Sequence, residues 1–270
     1  MIRNFILGIL ILIPLLGFSS EVDTLSFFSK ATNSEKSVVV ITPETYSNSK
    51  VHYPVVYLLH GHGGTFGTWL LRVPSLQRLA DEFNAIIVCP DGGFDSWYLN
   101  SPLIREFQYE SHIVNEVIPF IDSKFRTIAD RKGRAITGLS MGGHGGLYLG
   151  LKHQDLFIAM GSMSGGVDLR PFPDNWNIKK YLGEQKKYME NWEKYSVINN
   201  LDLYNFTLKT SIIFDCGTED FFLEVNNNLH KSMMEKKIPH EYTVRPGSHN
   251  WDYWRNSLYY HMVFFNNKFQ

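Results

Sequence analysis

Three side chains far apart in a chain of 270 residues could together catalyse acyl transfer: Ser140, Asp220 and His249. Ser140 is the centre of Gly138-Leu139-Ser140-Met141-Gly142, a G-x-S-x-G pentapeptide. Ala135–Thr137 before it reads as the end of a buried strand, and Leu147–Leu151 after it as a helix. A strand-to-helix turn this tight forces its central serine into a strained backbone conformation. The residues two before and two after must then lack side chains, or they would clash across the turn. The strain lifts the hydroxyl into solvent. It also leaves the Met141 N–H at a helix start, where the positive end of the helix dipole favours an oxyanion.

A serine nucleophile needs a base, the base needs an orienting acid, and the reaction needs donors for the oxyanion. His249 lies in Pro246-Gly-Ser-His-Asn-Trp251, directly after the last strand-like run, and is the expected base. Asp220 closes Gly217-Thr-Glu-Asp220 after the preceding strand-like run and is the expected acid. Asp215 and Glu219 are its rivals. Asp215 falls inside the strand, and Glu219 would point differently. His52, His112, His153, His230, His240 and His261 fall on helices or connections and read as surface or packing residues. His144 should point away from the nucleophile. The loop His60-Gly-His-Gly-Gly64 supplies the second oxyanion donor, with the His62 N–H completing the hole begun by Met141. Its glycines, Gly61 foremost, let backbone approach a substrate carbonyl. Its two histidines could instead suggest a metal, but no convergent ligands at metal spacing accompany them, and no cofactor is called for.

These residues need elements that hold them at one end of a sheet. Thr24–Thr32 and Lys36–Thr42 read as an antiparallel hairpin turning at Asn33-Ser34-Glu35. Pro54–Leu59 is a continuous apolar run, as expected of a strand buried on both faces. Further strands are expected at Ala85–Cys89, Ile158–Ser162, Ser211–Cys216 and Glu241–Arg245. Helices are expected over Phe66–Phe83, Tyr109–Phe125 (with Pro119 inside), Leu223–Lys236 and Asp252–Phe265. The alternation predicts a mostly parallel central sheet covered by helices on both faces, entered from the N-terminal hairpin. In such sheets ligands bind beyond the carboxyl ends of the strands, where the candidate residues fall. The polar, aromatic stretch 167–206 reads as an insertion within one domain spanning 20–270. Its Phe172, Trp176, Tyr181 and Trp192 either roof the site or form a small core of their own.

With 44% hydrophobic residues and a formal net charge of −1, the chain can build a full core. It gives no electrostatic reason to bind nucleic acid or an anionic membrane surface. Residues 1–19 read as a signal peptide: Arg3, then an apolar run from Phe5 to Phe18, too short for a membrane anchor, with small residues for cleavage near Ser19 or Ser20. Export to the periplasm or beyond is therefore expected. Cys89 and Cys216 end strands that should not be neighbours, so they are expected to stay unpaired.

Six segments together resemble one family, the esterase D or "putative esterase" group of α/β-hydrolases. They are Tyr53–Gly61, Asp91-Gly-Gly, Ser96-Trp-Tyr98, Gly138–Gly143, Cys216–Asp220 and Gly247–Trp251. The resemblance runs from about Thr24 to Phe265. The group includes S-formylglutathione hydrolases, tributyrin-type, feruloyl and acetyl-xylan esterases, and mycolyltransferases. It implies the α/β-hydrolase fold, whose chain order is Ser, Asp, His. It also implies Ser140–Asp220–His249 as triad, His62 and Met141 as oxyanion donors, and the Asp95–Tyr98 loop lining the acyl or alcohol pocket. Trp97, Tyr98 and Trp251 have two readings: as substrate contacts that stack on a sugar or aromatic acyl group, or as residues that simply cap the sheet. With the signal peptide, the activity expected is a secreted serine carboxylesterase acting on short acyl or feruloyl-type esters, small or carbohydrate-linked. The other readings are acyl transfer to a sugar hydroxyl, a formylglutathione-type thioesterase, and a catalytically silent carbohydrate-binding protein on the same scaffold.

Overall fold

A computed structural model describes residues 20–269. The segment read as a signal peptide lies outside them. Eight strands form one sheet in the order β1-β2-β4-β3-β5-β6-β7-β8. They are β1 (Glu21–Ser29), β2 (Ser34–Thr42), β3 (Val55–Leu59), β4 (Ile86–Pro90), β5 (Arg134–Gly138), β6 (Ala159–Met163), β7 (Ser211–Gly217) and β8 (Glu241–Arg245). β1 pairs antiparallel with β2 from Glu21↔Thr42 to Ser29↔Ser34, and β2 pairs antiparallel with β4. Every remaining pairing in the sheet is parallel. The hairpin turns through Asn33 at φ 48°, a left-handed conformation that asparagine tolerates.

The helices are α1 (Thr68–Arg72), α2 (Leu76–Phe83), α3 (Tyr109–Ser111), α4 (Ile118–Lys124), α5 (Met141–Lys152), α6 (Ile178–Leu182), α7 (Met189–Tyr195), α8 (Leu223–Glu235) and α9 (Trp251–Asn266). The two-residue repeat of a strand sends alternate side chains to opposite faces. On β3, Val55, Tyr57 and Leu59 join one buried cluster with Ile113, Leu147, Trp192 and Leu229. Val56 and Leu58 join the other, with Trp69, Leu76, Leu79, Leu258 and Met262. Both faces are thus closed by helices, and the continuous apolar strand runs follow from burial on each side. Each such aliphatic side chain contributes about 1.5–3 kcal/mol of transfer free energy.

Two expected helices differ in detail, and proline accounts for both. The Phe66–Phe83 run is broken into α1 and α2 at Val73-Pro74. A proline lacks a donor and pushes the residue before it out of the α region, and Val73 sits at φ −121°, ψ 86°. Between α3 and α4 the chain passes through a π-helical stretch, His112–Val117, that ends two residues before Pro119. A widened turn there lets the pyrrolidine ring clear the carbonyl it would otherwise strike. Segment 167–206 is more ordered than its composition suggests. It carries α6, α7 and a 3₁₀ turn at Val197–Leu203, and Tyr181 and Trp192 pack into the main core. Cys89 and Cys216 are both free and buried. β3, β5 and β6 separate their strands.

Candidate active site

The candidate residues follow the carboxyl ends of β3, β5, β7 and β8, so one edge of the sheet gathers them. β5 ends at Gly138, paired with Leu59, and α5 starts three residues later at Met141. Ser140 makes the turn between them at φ 56°, ψ −117°, a conformation that costs a non-glycine residue about 1–3 kcal/mol. Packing holds it there. The Ser140 N–H donates to the Met163 carbonyl at 2.9 Å, and the Ser140 carbonyl accepts the first helical bond, from His144. The glycines two before and two after are obligatory. A Cβ on Gly138 would lie 2.5 Å from the Leu59 oxygen, and one on Gly142 2.4 Å from the same atom.

His249 and Asp220 meet Ser140 in one hydrogen-bonded row. The Ser140 hydroxyl donates to His249 Nε2 at 2.9 Å. His249 Nδ1–H donates to the Asp220 carboxylate, 2.8 Å to Oδ2 and 3.0 Å to Oδ1. The Asp220 side chain is fully buried, and its Oδ1 also accepts the Phe222 N–H at 2.8 Å. The His249 ring is packed by Phe221, Phe222 and Trp254, which limits its rotation. Asn250, next in the chain, caps α9 by accepting from the N–H groups of Asp252 and Tyr253. His249 therefore sits on a firmly anchored helix entry.

The rival acids are occupied elsewhere. Asp215, buried in β7, accepts from Arg245 at 2.9 Å, from His261 at 3.1 Å and from the Ser257 hydroxyl. Burial alone would raise its pKa, but His261, Arg245 and Ser257 together hold it below the usual carboxylate value. Glu219 is exposed. His144 is buried among carbonyls, its Nδ1 2.9 Å from the Trp97 oxygen and its Nε2 2.8 Å from the Tyr195 oxygen. Burial pushes its pKa down to about 4, so it is neutral and donates to one of them at a time.

The loop after β3, the candidate source of an oxyanion donor, is built on His60. Its Nδ1–H donates to the Gly61 carbonyl at 2.8 Å, which leaves Nε2 to accept the Gly92 N–H at 2.9 Å and fixes a neutral tautomer. The Gly63 N–H donates to Phe94 O and the Gly64 N–H to Gly61 O. The N–H groups of His62 and Met141, by contrast, donate to nothing among the described residues. At Met141 this is the normal state of a first-turn helix donor. Two free donors flanking an activated hydroxyl can stabilise the oxyanion of a tetrahedral intermediate.

The cleft above Ser140 has a volume of about 450 Å³. Gly61, His62, Trp176, Phe221, Trp251 and Trp254 line it together with Ser140 and His249. Gly61 and Trp251 thus stand where contact with substrate is open to them. Trp97 and Tyr98 do not, and their reading as substrate contacts is corrected. They are 1% and 0% exposed, and neither borders the cleft. The loop carrying them turns under the site instead of over it. The Tyr98 hydroxyl donates to the His60 carbonyl at 3.0 Å, so this ring braces the oxyanion loop from below. Trp97 packs edge-on against His144 and beside Trp176. Trp176, from the insertion, reaches the cleft and stacks on Phe221. Sequence reasoning missed Phe221, Trp254 and Arg72, although Phe221 directly follows the acid and so had to lie close to the base. Among the described residues, no group of three or more His, Cys, Asp or Glu side chains could hold a metal ion, and no helix is long and apolar enough to cross a membrane.

Comparison with known proteins shows which family the chain belongs to. The family model described as "Putative esterase" matches residues 29–265. An acetyl esterase of Caldicellulosiruptor saccharolyticus is 26% identical over 261 residues, covering 87% of this chain and 94% of that protein. An esterase of Mycobacterium tuberculosis is 35% identical over 146 residues, 53% of this chain, but this chain spans only 32% of its length. A solved ferulic acid esterase superposes with a TM-score of 0.80 at 31% identity, over 94% of this chain and all of that one. The chain belongs to this esterase family and has the α/β-hydrolase fold.

Proposed function

We propose that the protein is an exported serine esterase that removes short acyl or feruloyl-type groups, small or carbohydrate-linked, through a covalent acyl-enzyme. The observation that carries this reading is the unbroken row Ser140–His249–Asp220 beside two free backbone donors. His249 takes the Ser140 proton as Oγ attacks the ester carbonyl. The carbonyl oxygen becomes an oxyanion held by the N–H groups of His62 and Met141. His249, now an imidazolium steadied by Asp220, hands its proton to the departing alcohol, and the acyl group stays on Ser140. Water then enters. His249 deprotonates it, and the same donors hold the second oxyanion until the carboxylic acid leaves and Ser140 is restored.

Support for the acyl preference comes from the acetyl and ferulic acid esterases among the relatives and from the aromatic lining of the cleft. The Trp176–Phe221 pair offers a face for a phenolic ring. Support for export comes from the apolar run that opens the sequence. A panel of acetyl, butyryl and feruloyl esters, each free and sugar-linked, tests the reading by initial rates. Turnover of acetyl and feruloyl members, faster when they are sugar-linked, is the expected result. Hydrolysis confined to thioesters such as S-formylglutathione would overturn the substrate assignment.

A further inference from the structure

The active-site cleft carries a charge that ester hydrolysis does not require. Among the described residues, Arg72 is the only titratable side chain besides His62 and His249 that lines it, and no aspartate or glutamate does. Among the described residues the Arg72 guanidinium makes no ion pair and donates no hydrogen bond. Asp252, which follows Trp251 in the chain, is paired with Arg255 at 2.6 Å. A position in the last turn of α1 explains why a cation suits the helix dipole there. It does not explain a cleft in which that cation has no counter-charge.

The surroundings of Arg72 say which part of a substrate would meet it. Arg255 Nε donates to the Arg72 carbonyl at 2.8 Å, tying the end of α1 to α9. Trp69 of α1 packs edge-on against Trp251, with ring centroids 5.2 Å apart. Arg72, Trp251 and Trp254 therefore form one wall, and that wall begins two residues after His249. His249 is the group that returns a proton to the leaving oxygen. A wall continuous with it faces the alcohol half of the ester.

We infer that Arg72 selects esters whose alcohol carries a carboxylate, with that anion on the guanidinium and the body of the alcohol against Trp251 and Trp254. The inference rests on the esterase reading above and deepens it to a substrate class. A uronic-acid sugar and a hydroxyaromatic acid would both present this chemistry. A guanidinium meets a carboxylate through paired N–H donors, and the partial exposure of the cleft keeps the attraction modest and sensitive to salt.

The test compares kcat/KM within pairs that differ only in charge: para-acetoxybenzoate against its methyl ester, and O-acetylated glucuronate against O-acetylated glucose. The expected result is a preference for the anion of about fivefold or more at low ionic strength, shrinking as salt is added. The pair showing the larger preference identifies the alcohol. Arg72→Gln should bring the ratio to unity, Arg72→Glu should invert it, and Arg72→Lys should retain part of it. Binding of the same pairs to Ser140→Ala by calorimetry reads the charge effect without turnover, and so stands apart from the esterase reading. A wild-type protein that turns over both members of each pair equally would overturn this inference while leaving the esterase intact. So would a preference that survives Arg72→Gln. An Arg72-dependent preference for p-nitrophenyl hemisuccinate over the butyrate, with none for acidic alcohols, would put the anion on the acyl side and overturn it equally.

Discussion

Ser140→Ala and His249→Ala are each expected to lower kcat on p-nitrophenyl acetate by about five orders of magnitude, and the double variant by no more than either alone. The reason lies in the row of hydrogen bonds. Ser140 without a base 2.9 Å away is an ordinary alcohol, and His249 without the hydroxyl has no proton to take. Each group is useful only through the other, so the second deletion has nothing left to remove. Residual hydrolysis reports on the two oxyanion donors and on binding, which neither substitution touches. Steady-state kinetics on the three variants checks this. Independent losses that multiply in the double variant would mean that the two side chains do not act as a unit.

Gly142→Ala is the second large effect. An alanine methyl there would sit 2.4 Å from the Leu59 oxygen and 2.6 Å from the His60 oxygen. Both are backbone atoms, at the end of β3 and the start of the oxyanion loop, and neither can move without taking the loop along. Relieving glycine in a helix ordinarily gains about 1 kcal/mol, but overpacking of this kind costs about 3 kcal/mol, so the overlap wins. A loss of about 2 kcal/mol should lower Tm by roughly 4–8 °C. Because the shift displaces oxyanion donors by up to about 1 Å, kcat should fall about a hundredfold besides. Gly67→Ala is the matched control. Only the Thr65 Oγ1 atom, at 3.9 Å, lies near its added methyl, and both Tm and kcat should hold. Thermal melts and rates on the two variants separate a steric elbow from a general intolerance of alanine.

Much of this was legible in the sequence because the physics there is local. A buried parallel strand must be apolar on both faces, and Val55–Leu59 is. A serine elbow must have glycine on either side, and Gly138 and Gly142 are there. Loops after strands hold the chemistry in such sheets, which singled out Asp220 and His249 from many acids and histidines. The disruptive effect of Pro74 was also local and readable, yet the apolar spacing of Phe66–Phe83 hid it. What could not be read was the direction of a loop. Trp97 and Tyr98 look, as residues, like a substrate platform. Only the path of the chain from β4 shows that they turn inward, where the Tyr98 hydroxyl meets the His60 carbonyl. The partner of Trp176 was hidden in the same way. Its stacking on Phe221 joins residues separated by β7, a relation no periodicity encodes.

The most direct measurement is intact-protein and peptide mass spectrometry after reaction with a fluorophosphonate. One adduct is predicted, on the peptide containing Ser140, formed rapidly in the wild-type protein and slowed by several orders of magnitude in His249→Ala. An adduct on another residue, or labelling of Ser140 at an undiminished rate without His249, would contradict a serine made reactive by that histidine.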